Sequence, residues 1–294
     1  MDPSHNTDLE NADSQFQQFD QLLAAGRAEK NYWRDLWNYR ELFIILAWRD
    51  VTIRYKQTVV GAAWGLLQPF MTMVIMTVVF GTIAQLPSVG SAPYAILVFS
   101  AMLPWQFFAN SLSSSSQSIV GNSNLISKIY FPRLIVPASS VVVACVDFFI
   151  SFAILLGMMA WYSYWPTWRF AMLPLLMILA FLTALGPGLI ITALNVKYRD
   201  FRFIVPFIVQ LGLYVSPVAY SSELIRDRFG GTAYLLYHLN PMVGVVDGFR
   251  WAILGGESVI FLPGFLVSLV LVLVLLYCGI RYFRRTEKAF ADII

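Results

Sequence analysis

The chain has 294 residues, 58% of them hydrophobic, 16% aromatic and only 13% charged, with a formal net charge of +3. A mean hydropathy of +0.66 excludes an ordinary soluble globular domain and sets the class as integral membrane protein. Cys145 and Cys278 lie far apart inside apolar runs, without His or carboxylate neighbours at ligand spacing, which supports neither a metal site nor a disulfide framework.

Residues 1–30 are polar and mildly acidic and hold no apolar core of signal-peptide length, so they are expected to form a disordered cytoplasmic tail. Residues 31–57 set Tyr32, Trp33, Trp37, Tyr39 and Trp48 among charges, and their apolar run, 42–48, is too short to span. Helical spacing gives no one-sided stripe, because Ile44 and Trp48 project away from Leu42, Leu46 and Ile53. This composition predicts an amphipathic interfacial segment on the cytoplasmic surface, with aromatics at headgroup depth.

The segment ends in a basic cluster, Arg49, Arg54 and Lys56, and then charge disappears: residues 57–127, 71 in all, contain none. That is more than three times the roughly 20 residues one helix needs to cross a bilayer. A first span is expected at 60–86, broken near Gln68-Pro69, and a turn with Pro87, Ser88, Gly90 and Pro93 leads to a second at 94–112. Residues 113–132, with a four-serine run and Lys128, are polar enough to be read as leaving the membrane.

A third span is expected at 134–161 with Asp147 near its middle, and a fourth at 170–194, joined by an aromatic turn of belt composition. The basic connector 197–202 precedes a fifth span at 203–220. Residues 221–258 then form two short segments separated by Asn240-Pro241, too short for full crossings and read as surface or re-entrant helices. The last span, 259–280, ends in the basic tail 281–294.

The fold class that follows is all-α integral membrane: six transmembrane helices in a permease domain over 58–280, an N-terminal interfacial helix, and re-entrant helices before the last span. On this topology the side bearing both termini carries 16 Lys and Arg and the other side 4, which places both ends in the cytoplasm.

No Gly-x-x-x-x-Gly-Lys-Ser/Thr phosphate loop occurs, and the only histidines are His5 in the tail and His238, so no catalytic site is indicated. Several local patterns stand out: Arg49-Asp50-Val51 with Arg54-Tyr55-Lys56-Gln57-Thr58 and the run from Gly61 to Pro69; Asn195-Val196-Lys197-Tyr198-Arg199-Asp200-Phe201; Ser216-Pro217-Val218; Asn240-Pro241-Met242; and the ending from Phe283 to Asp292. In this order on six spans, the chain resembles the membrane permease of ABC type-2 exporters, in the branch that exports O-antigen, capsular polysaccharide or teichoic acid. The resemblance implies a homodimer with a channel on its two-fold axis. It also implies a pair of separate ATP-binding subunits, which hold the ATP and Mg, and a lipid-linked glycan as cargo, such as one carried on undecaprenyl diphosphate. No cofactor in this chain and no nucleic-acid partner are expected. Residues 125–133, with Asn124, Leu125, Lys128, Tyr130 and Arg133, would form the coupling helix that rests on the ATPase, and Asn240-Pro241 would be the turn between gate helices at the outer face.

For Arg49, Arg54 and Lys56, two readings stand: capture of the cargo diphosphate through charge-assisted bonds, or topology and attraction to anionic headgroups. Asp147, the one acid inside a span, costs roughly 2.5–3.5 kcal/mol to bury as an ion, so it needs a polar partner from another span or an interfacial base. Sugar ring faces stack on aromatics, which makes Trp64, Phe70, Phe107, Phe108, Tyr214 and Tyr220 candidates for the channel lining; lipid exposure or packing is the other reading for each. Ser113 to Ser116 are either near a channel mouth or at the start of a solvated loop. An exporter of drugs or small lipophiles is the alternative within the family. An ion-driven secondary transporter would need more midplane carboxylates than Asp147, and a structural scaffold would leave the re-entrant segments and basic connectors unexplained.

Overall fold

The computed structural model describes residues 32–56, 59–255 and 258–290, excluding the side chains of 59–66. The chain divides into two units, residues 1–40 and 41–294. Within the described part of the first lies helix α1 (Tyr32–Asn38), whose Trp33 and Trp37 are exposed; the Arg40 guanidinium sits 6.0 Å from the Trp37 ring. The tail expected over residues 1–30 lies outside the described residues.

In the second unit every regular element among the described residues is a helix. Helix α2 (Arg40–Lys56) leads into α3 (Val59–Met76), which π-helical turns extend over Thr77–Ile83. There follow α4 (Tyr94–Gly121), the six-residue α5 (Ser123–Lys128), α6 (Ile135–Trp161) and α7 (Leu173–Lys197), the last preceded by a 3-10 turn at Trp168–Met172. Then come α8 (Phe201–Val215), α9 (Glu223–Tyr237), α10 (Pro241–Leu254) and α11 (Leu262–Thr286). Among the described residues, four helical stretches are long and apolar enough to cross a membrane: Tyr94–Gly121, Ile135–Trp161, Trp168–Lys197 and Leu262–Ala289. Leu67–Ile83 and Phe201–Val215 are shorter apolar helices.

Helix α4 is the hub. It packs along α6 on one side and α7 on the other, with α10 across its first half, and Ile96, Leu97, Val98 and Ala101 have no accessible surface. Without water to drive helices together inside a bilayer, close packing of small residues and polar bridges must hold them. Both are present. Thr192 and Asn195 of α7 donate to the carbonyls of Ser115 and Ser116 in α4, each at 2.8 Å. Where α7 meets α11, Gly186 and Gly279 face each other, and a methyl group on Gly186 would lie 2.8 Å from the backbone nitrogen of Leu276. Helix α11 buries a narrow seam, Gly264, Ser268, Val272, Gly279 and Phe283, and turns Leu266, Val270, Leu273 and Tyr277 outward. The larger apolar side chains on the outside and the smaller ones inside suit a lipid solvent.

Four expectations about element ends are corrected. The second span does not stop at 112: α4 runs through the serine run to Gly121, where Ser115, Ser116 and Ser118 satisfy their hydroxyls on the carbonyls three residues back. Ser116 donates to Ser113 at 2.8 Å and Ser118 to Ser115 at 2.7 Å, which leaves Ser115, Ser116 and Ser118 small and neutral enough to bury. The run is therefore helix and not a solvated loop, with Ser113 and Ser114 half-buried on it. The first span is not broken at Pro69; α3 passes through it, and the irregularity comes later, at Thr77–Ile83. The fifth helix ends at Val215, ahead of Pro217, so 216–220 is a turn. The segment expected as a helix over 125–133 is helical only over Ser123–Lys128, since Pro132 disfavours helix in the residue before it.

Candidate functional site

Three groups of residues carry polar chemistry in this apolar frame. The first gathers around the middle of α6, where α2 and α4 meet it. Asp147, twelve residues into α6, lies roughly 18 Å along the axis from Ile135 and roughly 21 Å from Trp161. One carboxylate oxygen accepts from the Tyr55 hydroxyl. The other accepts from Asn110 Nδ2 at 3.1 Å and pairs with Arg54 Nη2 at 2.8 Å. Gln106, one turn before Asn110 on α4, donates to its carbonyl oxygen at 3.3 Å and holds the amide in place. Burial, then the hydrogen bond and charge of Asp147, push the Tyr55 phenol upward, so it stays a neutral donor. Asp147 thus has three partners on two other helices, Tyr55 and Arg54 on α2 and Asn110 on α4.

Helix α2 makes a second attachment one turn earlier. Arg49 bonds Asp50 at 2.7 Å and Asn122 Oδ1 at 2.8 Å, and Asn122 is the residue from which α5 starts. Lys56 is exposed. Of the three basic residues proposed for phosphate capture, then, Arg49 and Arg54 are engaged with this chain's own carboxylates, and Arg54 keeps 41% of its side chain exposed while Asp147 keeps 10%.

The second group is the segment after α4. Ile126 is buried and anchors α5, while Asn124, Lys128, Ile129 and Tyr130 are exposed and Leu125 is half-buried. Arg133 turns inward and donates to the Glu287 carbonyl, where the last helix ends. Phe283 and Phe290 are fully buried beside it, ring centroids 5.4 Å apart. The closing motif of the chain thus braces the segment that α5 begins.

The third group lies at the opposite end. Asn240 caps α10 by accepting from Met242 N at 3.1 Å, and its amide nitrogen donates to Ser216 Oγ at 2.9 Å. Pro241 occupies the first turn of α10, where its missing N–H costs nothing. Arg250 of α10 is buried and donates to the carbonyls of Tyr220 at 2.7 Å, Val218 at 3.0 Å and Leu97 at 3.4 Å. The Ala219 carbonyl accepts from Tyr94. Three successive carbonyls of the 216–220 turn are therefore held by side chains from elsewhere. His238 is buried, with Nδ1 2.9 Å from the Tyr234 carbonyl and Nε2 3.6 Å from Asp247. Helix α9 changes direction at Gly230, whose φ of +84° suits glycine.

The aromatic candidates separate. Phe107 is 1% exposed and packs edge-to-face on Phe148 in the core of the chain. Phe108 is half-buried against Trp105, 5.6 Å away. Tyr220 is held by its hydroxyl contact with Tyr237 at 3.0 Å. Phe70 and Tyr214 are exposed, and the side chain of Trp64 lies outside the described residues. Tyr214 sits on α8, where Val205 is the one buried residue and Phe203, Phe207, Leu211 and Val215 all face outward.

Comparison with known proteins settles the class of this arrangement. The family described as ABC-2 type transporter matches residues 41–254, nearly three quarters of the chain. The chain belongs to the ABC-2 type transporter family. Among its relatives is the O-antigen export system permease protein RfbA of Myxococcus xanthus, 29% identical over 217 residues, which are 74% of this chain and 82% of that protein. The protein of the same name from Klebsiella pneumoniae is 24% identical over 264 residues, 86% of this chain and 95% of that one. The chain is accordingly a multi-pass membrane permease, a transport subunit and not an enzyme. ABC-2 permeases pair with ATP-binding subunits, which supply the nucleotide site that this domain type lacks. Among the described residues no group of ligands is arranged to hold a metal.

Sequence reasoning missed Tyr55, Gln106, Asn110, Asn122 and Arg250 as members of these groups. Two signals were available. Gln106 and Asn110 are amides four apart in an apolar run, hence on one helix face, and Arg250 is a lone cation among Gly248, Phe249, Trp251 and Ala252.

Proposed function

We propose that this permease exports a lipid-linked polysaccharide, with O-antigen as the leading cargo, from the cytoplasm across the inner membrane of a bacterium. The reading rests on similarity to an O-antigen export permease over 95% of that protein's length. Two copies enclose the path, each contributing six crossings, with α3 and α8 as the first and fifth. Both termini lie in the cytoplasm, and two ATP-binding subunits drive the cycle with ATP and Mg.

Several features support it. Helices α3 and α8 are held chiefly through α4 and leave large apolar faces uncovered in the single chain, as surfaces awaiting a second copy or cargo would. Exposed Ile44, Ile45 and Trp48 on α2 suit a helix lying at headgroup depth. Exposed Lys128, Ile129 and Tyr130, on a segment braced from behind, suit a docking surface for the ATPase. Arg49, Arg54 and Lys56 at the inner end suit the diphosphate of a polyprenyl-linked glycan, and the re-entrant α9 and α10, with the Asn240-Pro241 turn between them, suit a gate at the outer end.

The test is deletion of the chain in its host, followed by complementation. Surface polysaccharide disappears and cytoplasmic lipid-linked glycan accumulates in the deletion strain, and the purified permease in complex with its ATPase subunits restores ATP-dependent glycan transport in vesicles. Unchanged surface glycan with altered resistance to lipophilic drugs would instead support export of small lipophiles.

A further inference from the structure

Asp147 has an unusual set of partners for a membrane acid. It is satisfied three times over: by Tyr55, by Asn110 and by Arg54. Two of these donors are neutral and held in place, since Asn110 is fixed by Gln106 and Tyr55 is half-buried on the same helix as Arg54. The third is long, charged and 41% exposed. Removing Arg54 from the cluster would leave the carboxylate with two hydrogen-bond donors and no unmet oxygen. The arginine is therefore the exchangeable member, and each carboxylate oxygen keeps a neutral donor without it.

We infer that Asp147 is a resident counter-anion for Arg54, which the diphosphate of an arriving polyprenyl carrier displaces and which later returns to expel it. This deepens the proposed function and rests on it. A guanidinium binds phosphate in the same forked geometry as carboxylate, and a diphosphate brings more charge than one aspartate, so the exchange runs toward cargo when cargo is present. Once Arg54 has turned to the cargo, the Asp147 carboxylate stays beside the new anion, because its two neutral donors hold it there. Like-charge repulsion then weakens the captured state, as a site that must release its cargo into a passage requires. Asp147 thus acts as a positioning residue that sets how long the diphosphate stays, without itself binding cargo.

The experiment uses the permease with its ATPase subunits in lipid nanodiscs, with undecaprenyl diphosphate as probe and inorganic pyrophosphate and phosphatidylglycerol as competitors. Asp147→Asn keeps the shape, removes the charge and is expected to tighten probe binding about fivefold while slowing glycan export. Arg54→Gln weakens binding about tenfold, and combining it with Asp147→Asn abolishes the gain. Asp147→Ser serves as a second uncharged variant should the asparagine variant fail to assemble. Competition by pyrophosphate, with little by phosphatidylglycerol, assigns the site to the diphosphate. Equal or weaker binding in folded Asp147 variants overturns the counter-anion role while leaving the exporter reading intact, as does displacement by phosphatidylglycerol as readily as by pyrophosphate. Absence of probe binding to the unmodified complex overturns both.

Discussion

The amide nitrogen of Asn240 donates to the hydroxyl of Ser216 at 2.9 Å, joining two turns 24 positions apart. Each residue opens a short motif that ends in proline, Ser216-Pro217 and Asn240-Pro241, and the bond makes one corner of the two. Asn240 also caps α10. Asn240→Ala is expected to cost about 1 kcal/mol from the lost cap and about 1 kcal/mol from the lost bond, and Asn240→Asp to restore most of the first. A double-mutant cycle with Ser216→Ala, read by thermal melting of the purified permease, isolates the second; a coupling near zero would show that the corner is held by other contacts.

Arg250 carries a heavier load at the same corner. Arg250→Met fills similar volume but strands the carbonyls of Val218 and Tyr220, at about 1–3 kcal/mol for each buried acceptor left unmet. Arg250→Lys places one ammonium where three acceptors are spread around a planar fork, so it recovers part of the loss at most. Melting temperatures are expected in the order wild type, lysine, methionine; a methionine variant as stable as wild type sinks the assignment.

Phe107 and Tyr214 offer a paired comparison of packing with passage. Phe107→Ala is expected to destabilise the chain by about 3 kcal/mol through the cavity left beside Phe148. Tyr214→Ala removes an exposed ring and is expected to leave melting within about 0.5 kcal/mol while lowering glycan export. Export unaffected by the Tyr214 change in a stable complex would assign that face to lipid.

The surface after α4 can be tested without touching the fold. Lys128→Asp and Ile129→Asp alter exposed side chains, so the permease is expected to melt normally yet to lose co-purification with its ATPase subunits. Retained co-purification would move the docking surface elsewhere. Arg133→Ala, which frees the Glu287 carbonyl, is expected to lower melting as well.

Gly186 and Gly279 bring two backbones together. Gly279→Ala is expected to force α7 and α11 apart at a cost of about 1–3 kcal/mol, and Gly279→Leu to prevent stable assembly. Normal expression and melting of the leucine variant would contradict the close approach.

Much of the helix order was legible because hydropathy is a property of long windows: four of the expected apolar spans are long apolar helices, and the other two are shorter apolar ones. The ends were less legible. A serine run looks like a loop by polarity, yet on α4 the hydroxyls of Ser115, Ser116 and Ser118 fold back on their own helix and the run becomes a packing surface. The inner cluster was half legible. An acid in an apolar span demands partners, but which ones depends on a contact between Tyr55 and Asp147 across 92 positions, and no local pattern encodes that. Phe107 and Phe108 are adjacent and chemically identical, and only the packing of α4 against α6 tells the buried one from its neighbour.

Helix α8 buries a single side chain, Val205, whereas α4 has almost none free. Replacing residues along α8 therefore disturbs little of the subunit's own architecture, and the helix can be rewritten many times while the protein still assembles. If the proposed glycan path runs along this face, α8 is the stretch where new cargo can be accommodated with least disturbance, leaving the central helix as the part that resists change.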